Sequence, residues 1–270
     1  MLFKSIIPQF IINSIKKYFF YFKEYDTYEL ASHDADGYEN DELITHTINR
    51  ALQFRNDLEI HKKQNSNLLN ILAPFHFISK DKPIRVLDFG GGPGTHFMIV
   101  KSFFGDRIAL EWRVLETPKM VKHAKSNHLE TEEIRFYDSK TDCIDKFAPD
   151  LIIASASLCY ARDPISTLKS LIGLNPLFFY LARTPVAEKK AVLLQRTRIS
   201  DNGPTFYKAD KKLNKRVIKI PVTITDQSSL ENAINEKGQI LFKVTDQESP
   251  YISKGVVYNC YTYLIEVQNT

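Results

Sequence analysis

Several things are scarce in this chain of 270 residues, and each scarcity excludes something. Three cysteines (Cys143, Cys159 and Cys260) are too few for a disulfide framework and show no metal-ligand spacing. A reducing, cytoplasmic setting without a metal is therefore expected. Ten glycines and twelve prolines exclude a collagen-like or linker-dominated chain. No apolar run reaches the roughly eighteen residues that span a bilayer. Lys4, Lys16, Lys17 and Lys23 interrupt the apolar N-terminus, and no small-residue cleavage site follows it. There is no internal repeat. What is left is an ordinary globular composition, 43% hydrophobic and 25% charged, long enough for one sizeable α/β core with additions.

The net charge of +4 hides an asymmetry. Between Arg183 and Lys219 stand eleven Lys/Arg against three acids, a local +8, which leaves the rest of the chain at −4. Near the N-terminus, Ile7, Ile11, Ile15, Tyr18 and Phe22 recur at helical steps. Such a face either packs on the domain or lies on a membrane surface, which would put residues 1–22 in peripheral contact with the inner membrane.

The pattern predicts helices over 41–54 and 65–77, each behind polar capping residues. Strand-like runs follow at 84–89, 109–115, 134–137, 151–154 and 177–181. Helical stretches separate them at 95–104, 118–126, 141–147 and 164–172. This alternation implies a parallel sheet covered on both faces. A helix over 228–236 precedes two strands, 239–245 and 256–267, joined by a turn at 247–255. The expected fold is thus a Rossmann-like, doubly wound, mostly parallel seven-stranded sheet with a C-terminal antiparallel hairpin. A helical extension or lid over 1–80 precedes the domain of 81–270.

The strongest local signal runs from Val86 through Asp88, Phe89, Gly90, Gly91, Gly92, Pro93 and Gly94 to Thr95, between the first strand and a helix. The glycines permit a sharp turn and close approach of a ligand, and the helix N-terminus attracts an anion. A dinucleotide fingerprint needs a third glycine where Thr95 stands, and fails. An acid before G-x-G-x-G is the other pattern. Asp88 would repel a pyrophosphate and welcome an ammonium, as on S-adenosyl-L-methionine. The next strands end in Glu116, placed for ribose hydroxyls, and Asp138, placed for an adenine amino group. Ser155, Ala156 and Ser157 end the fourth strand, beside the crevice.

In these features the sequence resembles class I S-adenosylmethionine-dependent methyltransferases. More closely, it resembles a bacterial family of methyltransferases associated with surface-polysaccharide loci. The likeness runs through Ile7-Pro8, Gly37-Tyr38, the glycine segment, Trp112 to Glu116 and Arg135 to Ser139. It continues through Pro149 to Leu151, Ser155 to Tyr160, Asp163-Pro164 and Arg183-Thr184-Pro185, and ends near Lys254-Gly255. It departs at Cys159, where the family has Gln, at Ala182, where it has Asp, and around Ile220-Pro221. The resemblance implies that Asp88 meets the methionine ammonium and that Gly90, Gly91, Gly92 and Gly94 hold the methionine part. It gives ribose to Glu116 and adenine to Asp138, flanked by Tyr137 or Leu115, with Thr117 in the cofactor set. Ser155 and Ala156 complete the cofactor set. On the catalytic side it points to His96 as base, Tyr160 near the sulfonium or acceptor, and Arg183 as a grip on phosphate or carboxylate. His96 in a first helical turn is otherwise a solvent-facing residue, and Asp163 before Pro164 reads as a helix cap. The basic stretch after the fifth strand is expected to overhang the acceptor side. That favours an anionic small-molecule or glycan acceptor, methylated on oxygen. The stretch has few aromatics, which argues against nucleic acid. RNA or protein methylation, and cofactor binding without turnover, are the alternatives.

Overall fold

The computed structural model describes residues 23–57, 66–204, 215–253 and 256–268. The amphipathic N-terminal run and Lys208, Lys211 and Lys212 lie outside the described residues. In chain order the elements begin with β1 (Lys23–Tyr25), α1 (Tyr28–His33) and α2 (Asp41–Asn56). The alternating core follows: β2 (Ile84–Phe89), α3 (Thr95–Phe104), β3 (Leu110–Leu115), α4 (Pro118–Ser126), β4 (Ile134–Tyr137), α5 (Lys140–Ile144), β5 (Leu151–Ser155), α6 (Pro164–Ile172) and β6 (Phe178–Ala187). The chain then forms β7 (Ala191–Arg198), β8 (Val217–Asp226), α7 (Gln227–Asn235), β9 (Gly238–Ser253) and β10 (Val256–Val267).

Strands β4, β3, β2, β5 and β6 lie side by side and parallel. They are buried on both faces, which is why Leu151 to Ala154 are apolar without alternation. One face is packed by α2, α3 and α4 through Ile48, Phe54, Val100 and Val121 around Trp112. The other is packed by α5, α6 and α7 through Cys143, Leu168, Leu171 and Leu230. Each large apolar side chain buried this way contributes roughly 1.5–3 kcal/mol. Polar caps start the helices where the sequence supplies them: Asn40 at α2, Ser139 at α5, Asp163 at α6 and Asp226 at α7 each accept from a backbone N–H of the first turn.

β10 runs antiparallel beside β6, and β9 pairs with β10. The row β9-β10-β6-β5-β2-β3-β4 carries a closing hairpin as expected, but among the described residues the sheet has ten strands rather than seven. The additional three, β1, β7 and β8, form an antiparallel wing joined to β6 only where Thr225 and Asp226 pair with Val186 and Ala187. The N-terminal part is thus not helical alone, since it lends β1 to this sheet.

Other expectations are corrected in detail. Ser66–His76 is a 3-10 helix rather than an α-helix, with Pro74 inside it removing a backbone donor. The helix expected over 141–147 is the shorter α5. β6 continues past Leu181 to Ala187, so Arg183 lies inside a strand and not at its end. The turn expected at 247–255 is mostly strand, with Tyr251 to Ser253 paired to Val256 to Tyr258.

Candidate functional site

β2 has β3 on one side and β5 on the other, and the chain crosses from one side to the other between β4 and β5. At such a switch point the loops beyond the carboxyl ends diverge and open a crevice. The glycine loop stands in it. Gly90, Gly92 and Gly94 have φ of 66°, 56° and 80°, values that side chains resist. A Cβ on Gly90 would strike Ser157, and one on Gly91 the Asp88 carboxyl, whereas at Gly92 nothing lies within 4 Å. The backbone therefore presents itself closely at Gly92.

Asp88 is fully buried. Its carboxyl lies under Gly91, with His96 Nδ1 at 3.1 Å from Oδ2 and Trp112 Nε1 donating to Oδ2 at 3.3 Å. The Asp88 carboxyl is thus enclosed beneath the loop rather than open to the crevice. His96 is correspondingly not a solvent-facing residue, since its side chain is 18% exposed. In the neutral tautomer that directs Nδ1–H at Asp88, Nε2 is the acceptor.

Glu116, just past β3, reaches across to the loop. Gly92 N–H donates to its Oε1 at 3.1 Å and Thr117 N–H to its Oε2 at 2.7 Å. Burial raises its pKa, the Asp88 charge adds to this, and the two backbone donors oppose it. Each oxygen keeps a further lone pair for a diol. Thr117 caps α4 through its backbone only. At the end of β4, Tyr137 is half-buried with the Arg113 guanidinium 5.4 Å from its ring, and just past it Asp138 is exposed.

On the other side of the loop, Ser157 Oγ donates to Phe89 O at 2.6 Å and locks the β5 end to the β2 end. Ala156 and Arg183 both hold left-handed backbone, φ 52° and 51°. They follow directly on the paired residues Ser155 and Ala182. Each costs about 1–2 kcal/mol relative to ordinary backbone. The Arg183 strain comes with a bulge: the β10 register slips between Tyr261 and Tyr263, and Arg183 N–H turns to Thr262 Oγ1 at 3.3 Å. The exposed guanidinium is thereby aimed at the crevice, with Nε donating to Ser155 Oγ at 3.3 Å. Tyr160 sits on a 3-10 turn after β5, its hydroxyl donating to Gln195 Oε1 at 3.0 Å, and Tyr28 Oη donates to its carbonyl at 2.9 Å.

The structure thus gathers Asp88, the glycines, His96, Glu116 and Thr117 on one side of the loop, and Ser155, Ala156, Tyr160 and Arg183 on the other. It adds roles for Trp112, Gln195 and Tyr28, to which the sequence reading gave none, and gives Ser157, already expected beside the crevice, its bond to Phe89 O. The wing could have been read: Ile218, Ile220, Val222 and Ile224 alternate strictly, but the charge of that region drew attention instead. Of the basic stretch beyond Arg183, the described Arg196, Arg216 and Lys219 turn elsewhere. Gln195 faces Tyr160, so its neighbour Arg196, with Lys219 opposite it in β8, lies on the other face of the wing. Arg216 pairs with Glu42 at 2.9 Å. All three cysteines are buried, and among the described residues no group of His, Cys, Asp or Glu is arranged to hold a metal.

No family model matches the chain, and no curated protein matches it in sequence. Solved structures that it resembles include an S-adenosylmethionine-dependent methyltransferase from Clostridium acetobutylicum, 14% identical over 79% of this chain and 96% of that one, with a TM-score of 0.45. Human N-acetylserotonin methyltransferase in complex with SAM is 17% identical over 84% of this chain and 58% of its own, with a TM-score of 0.44. Magnesium protoporphyrin IX methyltransferase from Synechocystis with bound SAH is 11% identical over 75% and 82%, with a TM-score of 0.46.

Proposed function

We propose that this chain is an S-adenosylmethionine-dependent methyltransferase. The observation that carries this is Glu116 clasping Gly92 N–H above a loop of left-handed glycines, at the switch point of a parallel sheet, with a buried Asp88 beneath. A carboxylate beside a close-approach backbone suits a ribose diol. A second carboxylate under the loop disfavours a pyrophosphate at the same place and favours an ammonium. The residues present therefore fit this cofactor better than a dinucleotide.

When bound, the cofactor supplies a methyl on a sulfonium, already activated for in-line displacement. The chain's task is alignment and exclusion of water. Glu116 and Gly92 fix the nucleoside side, and Asp88 stabilises positive charge from below. His96, its Nδ1 held by Asp88, keeps Nε2 for a proton from an acceptor hydroxyl. Arg183, exposed beside Ser155, grips an anionic group of the acceptor. We assign as acceptor a sugar- or phosphate-bearing intermediate of surface-glycan synthesis, methylated on oxygen. Support for that class comes from Arg183 and from the sequence resemblance. Binding without turnover is the second reading. Ala182, 4% exposed and packed in the apolar core, leaves no acid where the resembled family has one.

Calorimetry with S-adenosylmethionine, followed by labelled-methyl transfer to nucleotide sugars, polysaccharides, RNA and proteins, tests this. Glu116→Gln is expected to weaken cofactor affinity roughly 10- to 100-fold, the loss of charge-assisted hydrogen bonds. No binding by the unaltered protein overturns the cofactor. Binding with no transfer to any acceptor supports the second reading.

A further inference from the structure

The segment between α1 and α2 crosses the crevice as a strap. At one end Asp36 N–H and Gly37 N–H donate to Lys219 O at 2.8 and 3.1 Å, and Lys219 N–H donates back to Asp36 Oδ2 at 2.8 Å. At the other end Lys119, in the first turn of α4, donates to Glu39 O and to Asp41 Oδ1, each at 3.0 Å. Between these ends is Tyr38. Its ring stands edge-on to Tyr160, 4.6 Å between centroids. Burial, then the nearby Tyr160, Cys159 and Glu116, hold its phenol well above the ordinary value, so the ring stays neutral.

Those neighbours locate Tyr38. Tyr160 follows β5 and Glu116 follows β3, and β2 with its glycine loop lies between them. The strap is fixed beside both, at Tyr160 by the ring contact and at Lys119, in the first turn of α4 just past Glu116. Tyr38 therefore lies between the two strand ends, its ring and that of Tyr160 also packing on Leu43, Ile199, Ile218 and Ile220. The groups around the crevice are electron-rich: the Tyr38 and Tyr160 rings, the Glu116 carboxylate and the buried Asp88 carboxylate. The two cations of the strap are turned away, Lys119 to Glu39 and Asp41, and Lys219 Nζ to Asp34 O at 3.3 Å.

We infer that Tyr38 is a binding residue of this site, its ring covering the glycine loop and contacting the positively charged sulfonium of the ligand. This rests on the cofactor proposed above. Aromatic faces attract cations, and the attraction strengthens where water is excluded. The contact distinguishes the cationic cofactor from its neutral demethylated product, so Tyr38 favours release after transfer. Because the strap roofs the loop, it has to lift for exchange.

The test compares affinities for S-adenosylmethionine and S-adenosylhomocysteine by calorimetry. Unaltered protein and Tyr38→Phe should share one affinity ratio. In Tyr38→Leu the cationic ligand should lose roughly fivefold to tenfold more than the neutral one. Progressively fluorinated phenylalanines at position 38 keep the shape but withdraw ring charge, and should lower the ratio stepwise. That series stands even if Tyr38→Leu folds poorly. A ratio that stays flat across the fluorinated series overturns the inference while leaving the cofactor intact. Unaltered protein that binds neither ligand overturns the cofactor assignment, and the role of Tyr38 with it.

Discussion

Gly91 and Gly92 are neighbours that must be glycine for different reasons. At Gly91 a Cβ would meet the Asp88 carboxyl, which His96 and Trp112 hold in place. At Gly92 there is room for a Cβ, but the backbone is left-handed and its N–H belongs to Glu116. Gly91→Ala should therefore act on stability, costing about 1–3 kcal/mol as for an overpacked core. Gly92→Ala should cost about 1 kcal/mol in backbone strain and weaken cofactor binding well beyond that, because the methyl stands where the ligand approaches. Melting temperature and calorimetric affinity for each variant check this. Equal effects of the two substitutions on both measurements would count against the proposed seat of the ligand. Arg183, like Ala156, is strained in its backbone at the edge of the crevice. Its left-handed φ comes with the bulge against β10, and the bulge is what aims a charged side chain from an otherwise buried strand into the crevice.

Among the elements, the amino ends of β2, β5 and β6 are knotted by one buried carboxylate. Asp150 accepts from Arg85 N–H at 2.9 Å, from Arg85 Nε at 3.2 Å and from Arg85 Nη2 at 2.9 Å, while its carbonyl accepts from Leu177 and Phe178. Burial by itself would raise the Asp150 pKa, but the Arg85 hydrogen bonds and charge more than offset it, and the net shift is downward. A folded-state pKa below the unfolded one means stability that is present above the unfolded carboxylate value and is lost as pH falls through the depressed one. Asp150→Asn should therefore cost about 2 kcal/mol near neutral pH, tempered by the partial exposure of Arg85. The gap to the unaltered protein should close as pH drops below the ordinary aspartate range. Thermal unfolding from pH 7 to 3 measures it, and a gap independent of pH would show that the ion pair is not its source. The same wild-type knot is far from the glycine loop along the strands, so cofactor affinity at neutral pH should hold in the folded variant.

At the scale of the whole molecule, the +8 region is split by the wing. Arg183 reaches the crevice, Arg196 and Lys219 share the far face of β7 and β8, and Arg216 is spent on Glu42. Charge in the far-face group acts on an anionic acceptor through solvent, over distances at which salt screens it. Arg183→Ala should reduce acceptor affinity at low and high salt alike and leave S-adenosylmethionine affinity unchanged. Arg196→Glu should slow acceptor association at low salt, with the difference vanishing near 1 M, where screening reaches about 3 Å. Stopped-flow binding of whichever acceptor the transfer assay identifies distinguishes the two. Identical salt dependence for both variants would place Arg183 outside the acceptor site.

The local pattern carried a good deal. Short contacts within the chain set the alternation of strands and helices, the Asp163 cap and the glycine turn, because each depends on neighbours a few residues away. The seven-strand row with its hairpin follows from the same alternation and from the handedness of its crossovers. The strand pattern of β8 was legible, but the pairing that builds the wing, the length of β6 and the bulge at Arg183 were not, since pairing between residues 23–25 and 192–194 leaves no mark in a local window. Burial was the other gap. Nothing in the residue order says that Asp88 lies under Gly91 with His96, or that Tyr38 crosses to Tyr160. Side-chain chemistry is written along the chain, but which charges face the crevice depends on distant strands coming into register.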